Sequence, residues 1–190
     1  MDNFTFYSPT YFAFGKGTEN ETGKYVKKYG GHKVLIHYGG GSVKRSGLLD
    51  RVKVSLDAEG IAHVELGGVK ASPHADLVYE GIELAKKEGV DFVLAIGGGS
   101  VMDSAKGIAL GVKYDGDFWD FYCGKQGPVT EALPVGCVVT IAASGSEGST
   151  DSVVTLVTED GHQYKRCADG DILRPLFAIM NPELMMTLPP

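Results

Sequence analysis

The sequence predicts an α/β protein in which helices cover both faces of a doubly wound parallel sheet, with a β-hairpin added. Short apolar segments alternate with segments of helical periodicity, and glycine-rich turns follow two of the apolar segments. Hydrophobic residues make up 43% and charged residues 22% of the 190 residues, which excludes a disordered, collagen-like or coiled-coil chain. Glycine, with 27 residues, occurs at about twice its usual frequency.

The N-terminal segment is rich in aromatic residues. Their alternation with polar or small residues over 4–6 and 12–14 predicts short strands. Thr18 follows a glycine turn and is the expected N-cap of a helix that ends near the glycine pair at 30–31.

The central part of the chain alternates between strand and helix. Strands are predicted at 34–36, 62–66 and 92–96, and helices at 42–58, 74–88 and 100–110. The strand at 92–96 is apolar throughout, which is typical of a parallel strand covered on both faces. The alternation therefore indicates βαβ units and a parallel sheet.

The C-terminal part returns to strands after a short helix or turn at 117–122. Strands at 135–141 and 176–180 extend the parallel sheet, and 153–158 with 163–167 form the hairpin. No linker or low-complexity segment interrupts the chain, so residues 1–190 are predicted to form one domain.

Charge and composition exclude several classes of function. The formal net charge is −6 and the lysines and arginines form no basic stripe, which argues against a nucleic-acid partner. No apolar run reaches about 18 residues, so no membrane span is predicted. Three cysteines without a CxxC pair argue against a disulfide framework or a zinc ribbon. The N-terminus does not resemble a signal peptide, and the chain is predicted to be cytoplasmic.

The pentapeptide GGGSV occurs twice, at 39–43 and at 97–101, each time between an apolar strand and the start of a helix. Glycine allows the backbone to approach a ligand closely, and a helix N-terminus offers unpaired N–H groups to an anion. Two such turns at neighbouring strand ends predict a Rossmann-like dinucleotide site at the carboxyl edge of the sheet. The alternative is an ordinary strand-to-helix turn with a cap.

The second copy is the better candidate for the pyrophosphate. Ser100 is the expected N-cap of its helix, with Asp103 three residues further on as in a capping box. Asp103 is alternatively a hydrogen-bond partner of a ribose hydroxyl or of the nicotinamide amide. Lys106 lies one turn beyond Asp103, at a spacing that favours an ion pair between them.

The first copy bears on the choice of cofactor. An acidic residue at this strand end commonly holds the adenosine 2′-hydroxyl, and here the strand end carries none. Ser42, Lys44 and Arg45 follow instead, which favours NADP over NAD. The alternative is that Lys44 and Arg45 point to solvent.

Two further features fit a nucleotide. The stretch TIAASGSE at 140–147 follows another apolar strand, and its small hydroxyl residues suit a phosphate or ribose; a capped Ser/Gly loop is the alternative. Lys165, on the predicted hairpin, is placed to reach the nicotinamide ribose, and otherwise is an exposed surface lysine.

Together these segments resemble the iron-containing (group III) alcohol dehydrogenases. The match consists of the pattern GGGSxxDxxK at 97–106, the pattern TxAASGSE at 140–147, and the tail with NPEL at 181–184 and TLPP at 187–190. YGGGS at 38–42 and DFWDF at 117–121 are similar to the NADPH-dependent butanol dehydrogenase and aldehyde reductase branch. The resemblance spans essentially the whole chain and keeps the order of the motifs.

The resemblance implies the N-terminal domain of a dehydroquinate synthase-like fold. In that family this domain binds NAD(P)H, and a C-terminal helical domain, absent from this chain, holds Fe²⁺ or Zn²⁺ through one Asp and three His. None of the five histidines matches those ligands, so the chain is expected to hold no metal and no catalytic residue. The implied reaction is hydride transfer between nicotinamide and a primary alcohol or aldehyde, and the isolated chain is expected to be inactive. A homodimer is an oligomeric form that the family implies.

The resemblance also implies a set of cofactor contacts. Gly39 occupies the position where NAD-using relatives carry Asp. The pyrophosphate and nicotinamide side is lined by Gly98, Gly99, Ser100 and Asp103. Thr140, Ala143 and Ser144 are assigned to the adenine end, and Val153 and Lys165 to the nicotinamide ribose. The full set is Gly39, Gly40, Gly41, Ser42, Ser72, Gly97, Gly98, Gly99, Ser100, Asp103, Thr140, Ala143, Ser144, Val153, Lys165, Leu184 and Leu188, of which Ser72 is placed near the adenine ribose and the two leucines over the adenine.

The chain departs from the family pattern at Val101, Ser144 and Ser72, where relatives carry proline, threonine and asparagine. Two other readings remain. One is a relative of the same fold, such as a glycerol dehydrogenase or a dehydroquinate synthase; the other is a nucleotide-binding module without catalysis.

Overall fold

The computed structural model describes residues 3–5 and 7–186. Its strands are β1 (Tyr11–Phe14), β2 (Lys33–Tyr38), β3 (Ala62–Leu66), β4 (Phe92–Gly97), β5 (Val135–Val139), β6 (Asp151–Val157), β7 (Gln163–Asp169) and β8 (Phe177–Met180). Its α-helices are α1 (Thr22–Lys28), α2 (Ser42–Arg45), α3 (Leu48–Ala58), α4 (Ala75–Glu88), α5 (Gly99–Lys113) and α6 (Trp119–Tyr122). Short 3₁₀ turns lie at Thr18–Glu21, Asp171–Leu173 and Pro182–Met185.

Six strands form one parallel sheet in the order β1-β8-β5-β4-β2-β3. From β2 the chain continues to the β3 edge of the sheet, and from β4 it continues to β5 on the other side. The boundary between β2 and β4 is therefore the switch point at which α/β sheets bind ligands, outside the carboxyl ends of the strands. The predicted α/β class is confirmed.

Two apolar cores lie on opposite faces of the sheet because successive strand residues point to opposite sides. On one face Leu35 packs in a cluster with Ile108 of α5. On the other face Ile36 packs in a cluster with Val52 of α3. Every residue of β4 is buried, as expected of a central strand covered on both faces.

The predicted hairpin is confirmed as the antiparallel pair β6 and β7. It packs on α5, where the Ser152 hydroxyl donates a hydrogen bond to the Asp103 carbonyl oxygen at 2.7 Å. The hydroxyl groups of Tyr122 and Ser152 lie 2.6 Å apart in the buried interface. The hairpin is thereby fixed at the start of α5, beside the carboxyl edge of the sheet.

Three local predictions were wrong. The helix expected over 42–58 is interrupted, because Gly47 adopts a left-handed conformation with φ of 69° between α2 and α3. Thr18 does not cap a helix: its hydroxyl donates to the Gly15 carbonyl oxygen at 2.9 Å, and α1 begins only at Thr22. Phe4 lies outside any strand, while Phe6 lies outside the described residues.

Other boundaries shift by a few residues. The strand expected over 135–141 ends at Val139, and the strand expected from 176 begins at Phe177. Within residues 3–5 and 7–186, no helix has the length and apolar character needed to cross a bilayer.

Candidate functional site

The two glycine turns lie side by side. Strands β2 and β4 are parallel neighbours, with Tyr38 in register with Ile96, so the turns that follow them emerge at the same edge of the sheet. The predicted adjacency of the turns, on which the dinucleotide hypothesis depends, is thus confirmed. The occupant of this edge stays a prediction.

The second turn presents unpaired backbone N–H groups at the start of α5. Gly98 is the N-cap, and its carbonyl oxygen accepts from the N–H groups of Val101 and Met102 at 3.0 and 3.2 Å. Within the described part of the chain, the N–H groups of Gly98, Gly99 and Ser100 have no hydrogen-bond acceptor. The helix is 15 residues long, so these groups carry the partial positive charge of its N-terminus. Ser100 was wrongly predicted as the cap, since it lies inside the first turn.

Close packing explains the glycines of the second turn. A Cβ on Gly98 would lie 2.5 Å from Ile141 Cγ2, and a Cβ on Gly99 would lie 2.5 Å from Ser144 Oγ. Both neighbours belong to the loop that follows β5, which the sequence predicted as a third part of the site. The loop and the N-terminus of α5 are therefore in direct contact at this edge of the sheet.

The first turn lines a cavity of about 360 Å³ whose walls hold one cation and no carboxylate. Lys44 Nζ lies 5.2 Å from the centre of the Tyr38 ring, and the Tyr38 hydroxyl raises the pKa of Lys44. A Cβ on Gly39 would have 3.7 Å to its nearest neighbour, Val69 O, so the position has room for a side chain. The lining residues are Tyr38, Gly39, Gly40, Gly41, Lys44, Gly67 and Gly68.

The carboxylate nearest to the Tyr38 hydroxyl belongs to Glu65 on β3. Its Oε2 accepts from the Tyr38 hydroxyl at 3.2 Å, and its Oε1 accepts from Lys53 Nζ at 2.7 Å. The hydrogen bond from Lys53 lowers the pKa of Glu65. Glu65 is therefore ionised and already neutralised by a lysine, although it lies close to the first turn.

A second cavity, of about 450 Å³, opens between α2 and the segments that follow β5 and β8. The structure brings together here three predicted contacts, Ser42, Thr140 and Leu184. Sequence reasoning missed the charged and polar side chains that line this cavity. Glu19 Oε1 accepts a hydrogen bond from Arg51 Nε at 3.1 Å, and Glu19 Oε2 accepts one from Asn181 Nδ2 at 2.9 Å. The lining residues are Glu19, Ser42, Val43, Ser46, Leu48, Arg51, Thr140, Asn181, Glu183 and Leu184.

Asp103 lies on α5 at the hairpin side of the edge. Burial raises the pKa of Asp103, while the charge of Lys106, the Ser146 hydroxyl and the Val153 N–H oppose that shift. The predicted ion pair with Lys106 is wrong. Lys106 Nζ instead donates to backbone oxygens of the loop between β5 and β6, Ser146 O among them at 2.9 Å. Asp103 and Val153, both predicted contacts, are thus close to each other.

The remaining predicted contacts within the described residues line neither of the two cavities. Ala143 and Ser144 are exposed on the loop, and Lys165 is exposed on β7, in register with Thr155. Ser72 is exposed and lines neither cavity; its neighbour Pro73 accepts from the Thr155 N–H at 2.8 Å, which places Ser72 near β6. Leu188 lies outside the described residues.

Among residues 3–5 and 7–186, no group of three or more His, Cys, Asp or Glu side chains is arranged to hold a metal ion. The donor set present here does not fit a catalytic Fe²⁺ or Zn²⁺.

The sheet order, the switch point and the helix N-terminus beside a second glycine turn define a doubly wound α/β chain, a class that binds ligands outside the carboxyl ends of its strands. The particular family follows from comparison with known proteins. The chain belongs to the iron-containing alcohol dehydrogenases, whose family model matches residues 9–182.

Individual relatives agree with this assignment. The chain is 46% identical over 189 residues to a probable NADH-dependent butanol dehydrogenase 2 of Bacillus subtilis, and 36% identical over 193 residues to the NADPH-dependent aldehyde reductase YqhD of Escherichia coli. A solved structure of NADH-dependent butanol dehydrogenase A from Thermotoga maritima superposes with a TM-score of 0.94 at 43% identity. These comparisons cover all of this chain but 47%, 48% and 46% of the respective proteins, so the chain spans about half their length.

Proposed function

We propose that this chain binds a pyridine dinucleotide across its two glycine turns, as the cofactor domain of a metal-dependent alcohol dehydrogenase or aldehyde reductase. The observation that carries the proposal is the row of unpaired N–H groups at Gly98, Gly99 and Ser100, next to a second glycine turn at the switch point. An anionic pyrophosphate is the ligand that such a row accepts. The names of the relatives, which include butanol dehydrogenases and an aldehyde reductase, support the reaction class.

The two sides of the edge suit the two halves of a dinucleotide. The 450 Å³ cavity with Ser42, Thr140 and Leu184 takes the adenine end in this proposal, flanked by Ala143, Ser144 and Leu188. The opposite side, with Asp103 and Val153, takes the nicotinamide ribose, and Lys165 approaches it from β7. Ser72, near β6, is assigned to the adenosine ribose.

NADP is the proposed cofactor, with NAD as the alternative. The cavity at the first turn offers a 2′-phosphate the cation of Lys44 and no carboxylate that would repel it. The carboxylate of Glu65 is engaged by Lys53 and Tyr38. The relatives include both NADH-dependent and NADPH-dependent enzymes, so the local charge pattern is the basis of this choice.

The chain's part in the reaction is binding and orientation. Bound nicotinamide supplies the hydride chemistry. The N–H groups of the second turn fix the pyrophosphate, Asp103 and Val153 direct the nicotinamide half, and the loop after β5 covers the phosphate side. The part of the chain that the structure describes has no donor set that fits a metal, so the proposal assigns the metal and the alcohol or aldehyde pocket to residues outside this chain, and residues 1–190 to the dinucleotide domain.

Isothermal titration of the chain with NADP⁺ and with NAD⁺ tests the binding proposal. We expect saturable binding of both, with tighter binding of NADP⁺. Binding of neither nucleotide contradicts the proposed site, and tighter NAD⁺ binding contradicts the NADP assignment.

A turnover assay with NADPH, butyraldehyde and added Fe²⁺ or Zn²⁺ tests whether the metal and substrate residues lie outside this chain. We expect nucleotide binding without turnover by the 190-residue chain. Sustained NADPH oxidation would place metal and substrate residues within the chain and contradict the assignment.

A further inference from the structure

Lys106 is a fully buried lysine that forms no salt bridge within the described residues, although the negative charge of Asp103 favours its charged form. Its Nζ donates to the backbone oxygens of Ser146, Ser149 and Asp151 at 2.9, 2.9 and 2.8 Å, and to Ser149 Oγ at 3.2 Å. A buried ammonium group is costly unless its donors are satisfied, so these oxygens and the lysine stabilise one another. The arrangement is a cation enclosed by oxygens of the loop between β5 and β6 and of the first residue of β6.

That loop, residues 140–150, contains no helix or strand and borders the proposed phosphate site. Ser144 Oγ and Ser146 Oγ would lie 2.5 and 3.1 Å from a Cβ on Gly99, so the loop touches the second glycine turn. Two cationic side chains hold the loop through its carbonyl oxygens, Lys106 and Arg174, which donates to the Gly148 carbonyl. The shape of the loop therefore depends on donors that lie outside it.

Lys106 also connects the loop with the hairpin. Its acceptor Asp151 is the first residue of β6, two residues before Val153. Gly99, which the loop contacts, lies seven residues before Lys106 on α5, or about two helical turns away. The Lys106 side chain thus connects α5, whose N-terminus presents the N–H groups, both to the loop at 140–150 and to the start of β6.

We propose that Lys106 is a positioning residue for dinucleotide binding: it holds the 140–150 loop and the start of β6 against α5, and thereby shapes both flanks of the cofactor site. This inference rests on the proposed dinucleotide function. Lys106 does not touch the nucleotide in this scheme. It acts through Ser144 and Ser146 on the phosphate side and through Val153 on the nicotinamide side.

The test compares Lys106→Met, which keeps the length and apolar stem, with Lys113→Met, which removes an exposed lysine from the same helix. Titration with NADP⁺ is carried out well below the melting temperature, and amide hydrogen exchange is measured on both proteins. We expect Lys106→Met to weaken binding about tenfold or more, because several charge-assisted hydrogen bonds are lost. Exchange should become faster over 140–151 and stay unchanged in β2 and β4, and Lys113→Met should behave as the unmodified chain.

Exchange and affinity separate the outcomes. Unchanged exchange over 140–151 in Lys106→Met, or faster exchange with unchanged NADP⁺ affinity, overturns the inference. Acceleration spread over the whole sheet also overturns it, because that result shows general destabilisation. If Lys106→Met does not fold, Ser149→Ala removes one acceptor and should give a smaller effect of the same pattern; no local effect in that variant overturns the inference. Absence of NADP⁺ binding by the unmodified chain is a failure of the proposed function, whereas the exchange comparison still decides what holds the loop.

Discussion

The two glycine turns share the pentapeptide GGGSV but have different structures. The second leads into the 15-residue helix α5, and Cβ atoms on Gly97, Gly98 or Gly99 would each approach a neighbour to 2.5 Å. The first leads into the four-residue helix α2, has Gly41 at φ of 120°, and leaves Gly39 and Gly40 without close neighbours. We therefore call the second turn, at 97–101, the packed turn and the first turn, at 39–43, the open turn.

The difference indicates a division of roles. The packed turn has a long helix behind it and a loop against it, so its N–H groups are fixed in space and suit a pyrophosphate. The open turn has unfilled space and the cation of Lys44 beside it, so it suits recognition of the group at the 2′ position of the adenosine ribose. Changes at the packed turn should therefore weaken binding strongly, whereas changes at the open turn should alter selectivity between NAD⁺ and NADP⁺.

The largest expected effect concerns a buried histidine that links β2, the strand before the open turn, to α5, the helix after the packed turn. His37 precedes the open turn by two residues; its Nδ1–H donates to the Leu66 carbonyl at 2.9 Å, and its Nε2 accepts from the Ser104 hydroxyl of α5 at 2.8 Å. Burial lowers the pKa of His37 to about 4 from 6.5. Between these values the unfolded chain binds a proton that the folded chain does not, so stability falls as pH falls through this window.

We expect His37 to contribute a loss of about 3 kcal/mol in unfolding free energy between pH 6.5 and 4. Urea unfolding measured at several pH values gives the slope, and His37→Gln, which cannot titrate, is the control. An equal pH slope in the variant would show that other groups cause the acid sensitivity.

The next effect tests the packed turn. Gly99→Val places a branched side chain against the Ser144 and Ser146 hydroxyls and over the unpaired N–H groups. We expect NADP⁺ affinity to fall about 100-fold, since charge-assisted hydrogen bonds to phosphate are lost. In the matched variant Gly40→Val the added Cβ meets no atom within 4 Å, so this variant should cost much less, as measured by titration of both proteins. Equal losses in the two variants would remove the distinction between the turns.

A smaller effect tests the open turn. Gly39→Asp has room for its side chain and adds an acceptor for a 2′-hydroxyl together with a charge that repels a 2′-phosphate. We expect the ratio of NAD⁺ to NADP⁺ affinity to rise about tenfold or more. Gly39→Asn, which adds a similar volume without the charge, is the control. A ratio unchanged in Gly39→Asp would place the 2′ position away from this turn.

Local patterns predicted the sheet well: the apolar strand at 92–96, for example, is bounded by Asp91 and Gly97, which mark its ends. The adjacency of the two turns also followed from sequence, because strands joined by βαβ units present their carboxyl ends at one edge. What could not be predicted depends on distant contacts. Asn181 binds Glu19 across 162 positions of sequence, and no periodicity reports such a pair.

The same reason explains the errors at Ser100 and Lys106. A capping box and an i,i+3 ion pair are local rules, and both were overridden by tertiary structure. The helix begins one residue early because Gly98 is the N-cap, and Lys106 turns away from Asp103 to reach the loop carbonyls.

The smallest effect concerns Ser72, which lies near β6 of the hairpin. It is the only residue other than glycine with a positive φ, 53°, within residues 3–5 and 7–186, and it precedes a proline. Its side chain is exposed, so a substitution there acts mainly through the backbone. Asparagine tolerates this left-handed conformation better than serine. We expect Ser72→Asn to raise the unfolding free energy by about 0.5 kcal/mol, measured by urea unfolding against Ala71→Asn, an exposed neighbour that lacks a positive φ. An equal gain from both substitutions would show that asparagine acts through its side chain, and the strain at Ser72 would not be the cause.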